Sequence, residues 1–412
     1  MRTRILNIGL AAAVAFLAVT ACTDQHPLSP RVSTKPQAMI PPPNFCRISI
    51  NCPPPPPDPV VQISGGDYFT CARRGSGAVD CWGKLGGQTY TAPTRIWTGA
   101  TKIDAGAYHA CGINSSGQAY CWGDEYYGEL GIQGPYQQLG VPPTPVCGEW
   151  CGGPAIQFTA ISAGSNSTCG TAVDGVYCWG LVMNPNGFST PNKLSSRNDY
   201  NAITVGFEHA CAWVTPAPAT GSSLDCWGVN TAGQAGKNPS TSPNVAFSAP
   251  TFVFVASVGA DAGAQYTCAN QIYGMVQCFG KNDYGQLGSA TVGFGGISGT
   301  PVLVGDGSLP HGLHAVATGR VHACAIDQGN FAYCWGYNGY GEIGNGVSTT
   351  TQYQLPQGVQ TSHTFTALAA GQWHSCGIAD DTHVYCWGNN WYGQLGSATG
   401  TNSAVPILVS GT

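Results

Sequence analysis

Cysteine pairs recur along the chain at a nearly constant spacing. Residues directly opposed in an antiparallel ladder are close enough for a disulfide. Midway between Cys111 and Cys121, residues 115–117 can form a three-residue hairpin loop with a left-handed glycine. The spacing therefore predicts seven β-hairpins, each closed by a cross-strand disulfide. The predicted bonds join Cys71 to Cys81, Cys111 to Cys121, Cys169 to Cys178, Cys211 to Cys226, Cys268 to Cys278, Cys324 to Cys334 and Cys376 to Cys386.

The cysteines outside the seven hairpins can also be assigned. Cys46 with Cys52 and Cys147 with Cys151 form two further pairs, which leaves Cys22 alone among the 19 cysteines. The spacings are not those of zinc knuckles, because no CxxC pair is present and no histidine pair stands beside the cysteines at ligand spacing. We therefore expect oxidised pairs in an exported protein, and we predict neither a metal nor a cofactor.

The N-terminus carries targeting signals rather than a fold. Residues 1–21 contain two arginines and then an apolar run over residues 5–19, which is typical of a secretory signal peptide. The Val-Thr-Ala-Cys sequence that ends at Cys22 resembles the lipobox of bacterial lipoproteins. This resemblance implies that Cys22 is lipidated, and Thr23 gives no inner-membrane retention signal. We expect a lipid anchor to the outer membrane or cell surface, with no other membrane contact.

The composition after the signal peptide excludes one class of partner. Residues 22–59 are rich in proline and predict an extended tether behind the lipidated cysteine. The whole chain has 15 Lys and Arg against 20 Asp and Glu, and removal of residues 1–21 leaves 13 basic residues and a net charge of about −7. A surface of this sign repels phosphate backbones, so we expect no nucleic acid.

Residues 60–412 consist of repeats. The copies centre on Gly66, Gly106, Gly164, Gly206, Gly263, Gly319 and Gly371, and each continues into Trp-Gly or, once, Phe-Gly. With 58 Gly, 29 Pro and 8% charged residues, the chain favours many short strands over helices. A period of about 50 residues is that of a propeller blade or a solenoid repeat. We therefore predict an all-β domain of seven repeats.

The two ends of the repeat region suggest how a ring would close. The region begins at Val60 without a preceding Pro-containing strand, and it ends with residues 404–410, which match residues 300–304. We predict that the C-terminal strand completes the first blade and closes the ring, which leaves no long free sheet edge.

The repeat resembles that of the regulator of chromosome condensation family, which implies a seven-bladed β-propeller. The pattern is plainest at residues 321–326 with 333–344 and at residues 373–378 with 385–396, where Gly-Gln/Glu-Leu/Ile-Gly loops follow Cys-Trp-Gly. Phe69, Ser167 and Tyr266 depart from it by replacing the repeat histidine. Known members imply protein-binding roles: nucleotide exchange on a small GTPase with chromatin binding in a nuclear member, and enzyme inhibition in a secreted bacterial member.

Polar candidates for catalysis are few. Four histidines occupy the same repeat position: His109, His209, His322 and His374. A residue that recurs once per blade is expected to be a buried hydrogen-bonding brace rather than a base. Acidic residues at three places fall in loops or turns and predict solvated turn residues: Asp124 with Glu125, Asp283, and Asp380 with Asp381. No catalytic residue is predicted, and we expect a protein that is not an enzyme.

Aromatic residues in loops are the better binding candidates. Most precede the Gly-Gln/Glu-Leu loop and so fall on one rim of the ring, and one lies in the small loop between Cys147 and Cys151. The set comprises Tyr126, Tyr127, Trp150, Tyr284, Tyr340, Trp391 and Tyr392. Exposed aromatics ringed by polar residues are used by protein interfaces and by sugar-binding platforms.

The sequence favours a monomeric, surface-anchored scaffold that binds a protein partner of the envelope or exterior through these aromatics. A carbohydrate-binding, lectin-like propeller is the first alternative, because the loops with Asn338 and Tyr340 and with Asn389 and Trp391 pair an amide with an aromatic ring. A propeller hydrolase or lyase is the second, and it requires an asymmetric polar cluster at the mouth of the ring.

Overall fold

The computed structural model describes residues 58–134, 137–148, 151–181, 188–213, 224–246, 251–252, 257–271, 274–307 and 312–412. The predicted signal peptide and the lipidated Cys22 lie outside these residues. Cys46 and Cys52 also lie outside them, so the bond between these two cysteines stays a prediction.

Seven antiparallel sheets follow one another along the described chain, and each is a four-stranded meander except the fourth, which has a fifth short strand. Blades 1 and 2 contain β1 (Val60–Gly65), β2 (Phe69–Arg74), β3 (Val79–Leu85), β4 (Gln88–Trp97), β5 (Ala100–Ala105), β6 (His109–Asn114), β7 (Ala119–Glu125) and β8 (Gln138–Pro145). Blades 3 and 4 contain β9 (Phe158–Ala163), β10 (Ser167–Ala172), β11 (Gly175–Gly180), β12 (Phe188–Ser195), β13 (Ala202–Val205), β14 (His209–Trp213), β15 (Leu224–Val229), β16 (Asn244–Val245) and β17 (Thr251–Phe252).

Blades 5 to 7 complete the ring. They contain β18 (Ser257–Ala262), β19 (Tyr266–Gln271), β20 (Val276–Asn282), β21 (Gly296–Leu303), β22 (Leu313–Thr318), β23 (His322–Asp327), β24 (Ala332–Gly336), β25 (Tyr353–Gly358), β26 (Phe365–Ala370), β27 (His374–Ala379), β28 (Val384–Gly388) and β29 (Ser403–Leu408). A short 3-10 segment, Val304–Gly307, follows β21. The prediction of an all-β, seven-bladed propeller is confirmed.

The hairpin between the second and third strands carries the disulfide in every blade. In the β6–β7 ladder, Cys111 and Cys121 are directly opposed with Cα atoms 4.1 Å apart, and Gly117 takes the left-handed conformation at φ 83°. All seven predicted hairpin disulfides are confirmed. They join Cys71 to Cys81, Cys111 to Cys121, Cys169 to Cys178, Cys211 to Cys226, Cys268 to Cys278, Cys324 to Cys334 and Cys376 to Cys386.

The predicted bond between Cys147 and Cys151 is also present, in the segment that follows β8. With the hairpin bonds, it makes eight disulfides in the described chain. Eight disulfides indicate an oxidising, extracytoplasmic environment. Within the described residues, no helix has the length and apolar character needed to span a membrane.

The predicted strand closure is wrong. β29 pairs with β28 in blade 7, and blade 1 has its own outer strand, β4. The Pro-containing strand therefore follows its hairpin as the outermost strand of the same blade. Proline has no N–H to donate to a ladder and is tolerated at a sheet edge, the position of Pro93 in β4 and Pro406 in β29. The ring closes instead by packing between blades 7 and 1.

The hydrophobic core is divided among the boundaries between blades. Seven clusters of buried residues are present in the described chain, and neighbouring blades contribute to each. At the closing boundary, Ile63 and Trp82 of blade 1 pack with Ile378 and Leu395 of blade 7. The last boundary is thus built like the others, so the ring needs no shared strand.

A buried hydrogen-bond network also crosses this boundary. His374 Nε2 of blade 7 lies 2.8 Å from the Thr70 hydroxyl of blade 1, which donates to the Gln394 carbonyl at 3.2 Å. The Trp82 indole N–H donates to the same carbonyl at 2.9 Å. Because the Thr70 proton points to the carbonyl, the histidine donates through Nε2–H. The brace predicted for the repeat histidine is confirmed here.

The repeat glycines surround the axis of the ring. A Cβ on Gly106 would lie 2.0 Å from the carbonyl oxygen of Gly164, and one on Gly319 would lie 2.3 Å from that of Gly371. Atoms do not approach so closely without displacing backbone. The absence of a side chain at these positions therefore allows neighbouring blades to meet at the axis.

Candidate functional site

The loops that vary from blade to blade lie at one end of the ring. In an antiparallel meander, the loop between the first and second strands and the loop between the third and fourth strands emerge at the same end of the sheet. We call this end the aromatic face. It carries every predicted aromatic candidate in the described chain. Trp150 lies outside the described residues.

An aromatic cluster extends across blades 5, 6 and 7 on this face. The Tyr284 ring centroid lies 5.3 Å from that of Tyr337, which lies 5.2 Å from that of Trp373. Tyr340 packs against Trp373 at 5.7 Å and against Trp391 at 4.9 Å. Edge-to-face geometry at these distances stabilises aromatic pairs. The structure thus joins three predicted residues through two that the sequence analysis did not select.

The outer end of this cluster is open to solvent. Trp391 is 60% exposed although it is among the largest apolar side chains of the protein. Its ring packs against Tyr340 on one side, and the rest of its surface is exposed. An exposed indole that packs against a neighbouring ring is typical of the aromatic residues that anchor protein interfaces.

A second aromatic group continues the face into blades 1 and 2. Tyr392 packs edge-on against Tyr68 at 5.2 Å, and Tyr68 lies 6.1 Å from Tyr108. The Lys84 ammonium stands 5.0 Å from the Tyr392 ring centroid, within reach of a cation–π contact. This group brings a positive charge beside the aromatic surface.

The Gln372 side chain links the two groups. In the orientation that satisfies its neighbours, its amide nitrogen donates to the Tyr68 hydroxyl at 3.0 Å and to Asp67 at 3.2 Å. Its oxygen accepts from the Trp373 indole at 2.9 Å. Gln372 is buried, so this bridge fixes both rings from beneath.

The doubled tyrosines of blade 2 form a separate patch on the same face. Tyr126 and Tyr127 are 39% and 46% exposed, and their centroids lie 6.3 Å apart. Among the described residues, no ring contact joins this pair to the larger cluster. The predicted rim of aromatics is therefore one extended cluster with an outlying pair.

Buried polar side chains hold the aromatic loops in place. In blade 7, Asn390 Oδ1 accepts the Leu395 N–H at 3.1 Å, and Gln394 Oε1 accepts the Tyr392 N–H at 2.9 Å. Blades 5 and 6 repeat both bonds, with Asn282 and Gln286 in one and Asn338 and Glu342 in the other. The Gly-Gln/Glu-Leu/Ile-Gly motif thus presents an aromatic side chain on a loop whose backbone is already ordered.

Two of these loops use a carboxyl group where the others use an amide. Burial raises the pKa of Glu342 to about 8, although backbone N–H groups oppose the shift. Burial likewise raises the pKa of Glu129. Near neutral pH, Glu342 is therefore mostly protonated and resembles the glutamine of the neighbouring blades.

The prediction that Asp124 and Glu125 are solvated turn residues is wrong. Both lie at the end of β7 and are buried. Glu125 Oε2 accepts the Leu130 N–H at 2.8 Å, and Asp124 Oδ1 accepts the Gly140 N–H at 3.3 Å. Burial raises the pKa of Glu125 to about 7. These two acids therefore order the loop that carries Tyr126 and Tyr127, as the asparagines do in blades 5 to 7.

The mouth of the ring, at its axis on the aromatic face, has a charged pair. Arg320 of blade 6 reaches across to Asp67 of blade 1, with Nη1 3.4 Å from Oδ2. Burial raises the pKa of Asp67 to about 6, and the guanidinium offsets part of the increase. The Arg320 side chain is 39% exposed and lies 5.8 Å from the Phe207 ring. A groove of about 260 Å³ continues from Arg320 and Phe207 toward Tyr284.

The repeat histidines are braces at the other boundaries as well. His109, His209 and His322 lie 2.8 Å from hydroxyls of Thr168, Thr267 and Ser375, respectively. Complete burial lowers the pKa of His109, His209 and His374 to about 3, and that of His322 to about 4. A neutral imidazole without access to solvent is poorly suited to general base catalysis. In blade 5, Tyr266 replaces this brace and donates to the His322 carbonyl at 2.6 Å.

The sequence contains a pattern that could have identified the mouth residues that the sequence analysis did not select. Two positions between the repeat glycine and the repeat histidine vary from copy to copy, and the first-to-second-strand loop places both at the mouth. The missed residues at these positions are Asp67, Tyr68, Tyr108, Phe207, Arg320, Gln372 and Trp373. A comparison of the copies, position by position, would have marked them as the variable surface of a constant frame.

The comparisons with known proteins agree with this architecture. Profiles described as the regulator of chromosome condensation (RCC1) repeat match residues 60–84, 100–129 and 365–394, and residues 331–378 and 381–412. The ultraviolet-B receptor UVR8 of Arabidopsis thaliana is 25% identical over 269 residues, which cover 61% of this chain and 58% of that protein. The human E3 ubiquitin-protein ligase HERC2 is 27% identical over 62% of this chain but only 5% of its own length. The chain therefore spans less than two thirds of the length of these curated relatives.

Solved structures show the same fold. Prp20p of Saccharomyces cerevisiae superposes with a TM-score of 0.67 at 18% identity, covering 86% of this chain and 88% of that chain. Human WBSCR16 superposes with a TM-score of 0.66 at 16% identity, covering 78% and 84%. The profile matches show that the chain contains regulator of chromosome condensation repeats, which are arranged here as a seven-bladed propeller.

Proposed function

We propose that the protein is a non-enzymatic scaffold that binds a protein partner through the aromatic face. The observation that carries this proposal is the cluster from Tyr284 to Trp391, which combines half-buried supporting rings with an exposed tip. Interface hot spots have this composition, with tryptophan and tyrosine on a preordered backbone beside arginine.

The charged mouth supports a protein ligand. Arg320 is close to Asp67 but keeps 39% of its side chain exposed, and Lys84 stands over Tyr392. Aromatic area bordered by polar and charged groups is typical of protein interfaces, in which the rim contributes orientation and the rings contribute affinity. The partner would bring apolar side chains to Trp391 and acidic groups to Arg320 or Lys84.

The asparagine amides that suggested a glycan site already make hydrogen bonds within their own loops. Asn338 Oδ1 accepts the Ile343 N–H, and its nitrogen donates to the Val347 carbonyl. Asn389 Oδ1 accepts both the Trp391 N–H and the Gln394 amide. Both side chains are buried, so they brace the loops and do not face a ligand. This favours a protein partner over the carbohydrate alternative.

The solved relatives are consistent with partner binding by this fold. Prp20p is described with its binding to Gsp1p and histones, and yeast RCC1 (Prp20) with Kap60 bound to it. Those partners belong to those proteins. For this chain, which has eight disulfides in its described residues, we propose an extracytoplasmic partner and a monomeric scaffold.

We further propose that Cys22 carries a lipid anchor and that the Pro-rich tether holds the propeller away from the membrane. The observations in support are the signal-like residues 1–21 and the disulfides of the folded domain. Expressed in a bacterial host, the parent should sediment with membranes, and Cys22→Ala should lose lipid modification by mass spectrometry. A parent chain with an unmodified Cys22 would contradict the anchor.

The binding proposal predicts which variant loses a partner. Immobilised parent protein should capture an envelope or extracellular protein, and Trp391→Ala/Tyr392→Ala should lower the amount captured at least about tenfold, because removal of hot-spot aromatics costs about 2 kcal/mol or more. Phe331→Ala is the matched control. Phe331 is 55% exposed on the β23–β24 hairpin at the opposite end of the ring, so its removal should not change capture.

The same samples distinguish the alternatives. A chain that captures no protein but is retained on a polysaccharide array, with loss in Trp391→Ala/Tyr392→Ala, would replace the scaffold by a lectin. Equal capture by all three proteins would show that the aromatic face is not the binding surface.

A further inference from the structure

The end of the ring opposite the aromatic face has a cluster of metal-ligating side chains in blade 7. The β27–β28 hairpin contributes Asp380, Asp381 and His383, and the segment before β26 contributes His363. His363 Nδ1 lies 3.2 Å from Asp380 Oδ1 and 3.9 Å from Asp381 Oδ2. One ligand atom from each of these three residues lies within 4.8 Å of the other two. The sequence analysis treated the two aspartates only as turn residues.

These separations are close to those in the first coordination shell of a small cation. Zinc bound at about 2.0–2.1 Å in a tetrahedral site holds its ligand atoms roughly 3.3 Å apart. The 3.2 Å contact between His363 and Asp380 is already at this distance, and the 3.9 Å contact between His363 and Asp381 has to shorten when an ion binds. His383 Nδ1 lies 3.6 Å from Asp381 Oδ2 but donates to the Asp381 carbonyl oxygen at 3.0 Å, so it supports the hairpin and is not a ligand.

A second layer of contacts orients the ligands. The Tyr385 hydroxyl donates to Asp381 Oδ2 at 2.8 Å, and the Tyr385 ring lies 4.5 Å from the His363 ring. Partners of this kind fix the direction of ligating carboxylates and imidazoles. The His363 and Asp380 side chains are 29% and 54% exposed, so an ion can enter and water can complete its coordination.

We propose that His363, Asp380 and Asp381 form a binding site for a divalent first-row transition ion, with Zn²⁺ as the expected occupant and water as the remaining ligand. Imidazole combined with carboxylate oxygen suits such ions, whereas Ca²⁺ prefers ligand sets made only of oxygen. The site lies at the end of the ring opposite the binding surface proposed above and is independent of it.

The test is titration calorimetry of the mature, untagged protein with ZnCl₂, after chelator treatment and dialysis. We expect one Zn²⁺ per chain and no measurable heat with CaCl₂. His363→Ala and Asp381→Asn should each weaken binding at least about tenfold, and Tyr385→Phe should weaken it by a smaller factor because it changes only the orientation of the ligands. His314→Ala removes a histidine of blade 6 and should leave the affinity unchanged.

Two results would overturn the site. The first is a parent protein that binds no Zn²⁺. The second is equal affinity in the parent, His363→Ala and Asp381→Asn, which would place bound zinc elsewhere and leave His363 as a simple ion-pair partner of the aspartates. If a variant does not fold, imidazole proton resonances of the parent decide the question: Zn²⁺ should shift those of His363 and leave those of His314 unchanged.

Discussion

Replacing Gly371 by alanine is expected to destabilise the ring by about 3 kcal/mol or more. A Cβ at this position would lie 2.2 Å from the carbonyl oxygen of Gly66 in blade 1 and 2.3 Å from His374 Cε1. Neither neighbour can withdraw cheaply, because the first is backbone at the axis and the second holds the hydrogen bond to Thr70. Urea unfolding with the disulfides intact measures the change.

Gly358→Ala is the matched control for this substitution. Gly358 ends β25, and a Cβ there would have no heavy atom within 4 Å. This variant should remain within about 0.5 kcal/mol of the parent. Equal stability of the two variants would show that close approach of the glycines does not hold blades 7 and 1 together.

The second large effect is a pH-dependent difference between the parent and His374→Gln. Burial lowers the pKa of His374 to about 3, against 6.5 for an ordinary histidine. Because the folded pKa lies below the unfolded one, the unfolded chain binds the proton first. The contribution of this histidine to stability is complete above about pH 6.5 and decreases as the pH falls toward 3.

The glutamine side chain can donate to Thr70 but does not titrate. Between pH 7 and pH 4.5, the parent should therefore lose about 2–3 kcal/mol of unfolding free energy relative to His374→Gln. Buried acids such as Glu342, whose pKa is raised to about 8, contribute with the opposite sign, and they cancel in this difference. Urea unfolding at the two pH values measures it. Parallel pH profiles would mean that His374 is not held neutral by the fold.

The repeat frame could be predicted because its constraints are local. The spacing of Cys111 and Cys121 fixes a hairpin register without reference to the rest of the chain, and the hairpin disulfides in the described residues all follow from this reasoning. The role of the repeat histidine also followed, since one position repeated in several blades implies a structural contact between blades.

The closure of the ring and most of the residues of the aromatic face could not be predicted from the sequence in the same way. Whether the strand at Pro406 precedes or follows a hairpin depends on its ladder partner, and the similarity between segments does not reveal that partner. Asp67 in blade 1 contacts Arg320 in blade 6, and these two residues are 253 positions apart in sequence. Only the curvature of the ring brings such positions to one mouth.

The central claim is that the aromatic face is the binding surface, and hydroxyl-radical footprinting of the parent with its captured partner tests it most directly. Trp391 and Phe331 are 60% and 55% exposed at opposite ends of the ring, so both should oxidise readily in the unbound protein. With partner bound, we predict that oxidation of Trp391 falls several-fold while that of Phe331 is unchanged. Protection of Phe331 with continued oxidation of Trp391 would contradict the account and place the partner at the opposite end.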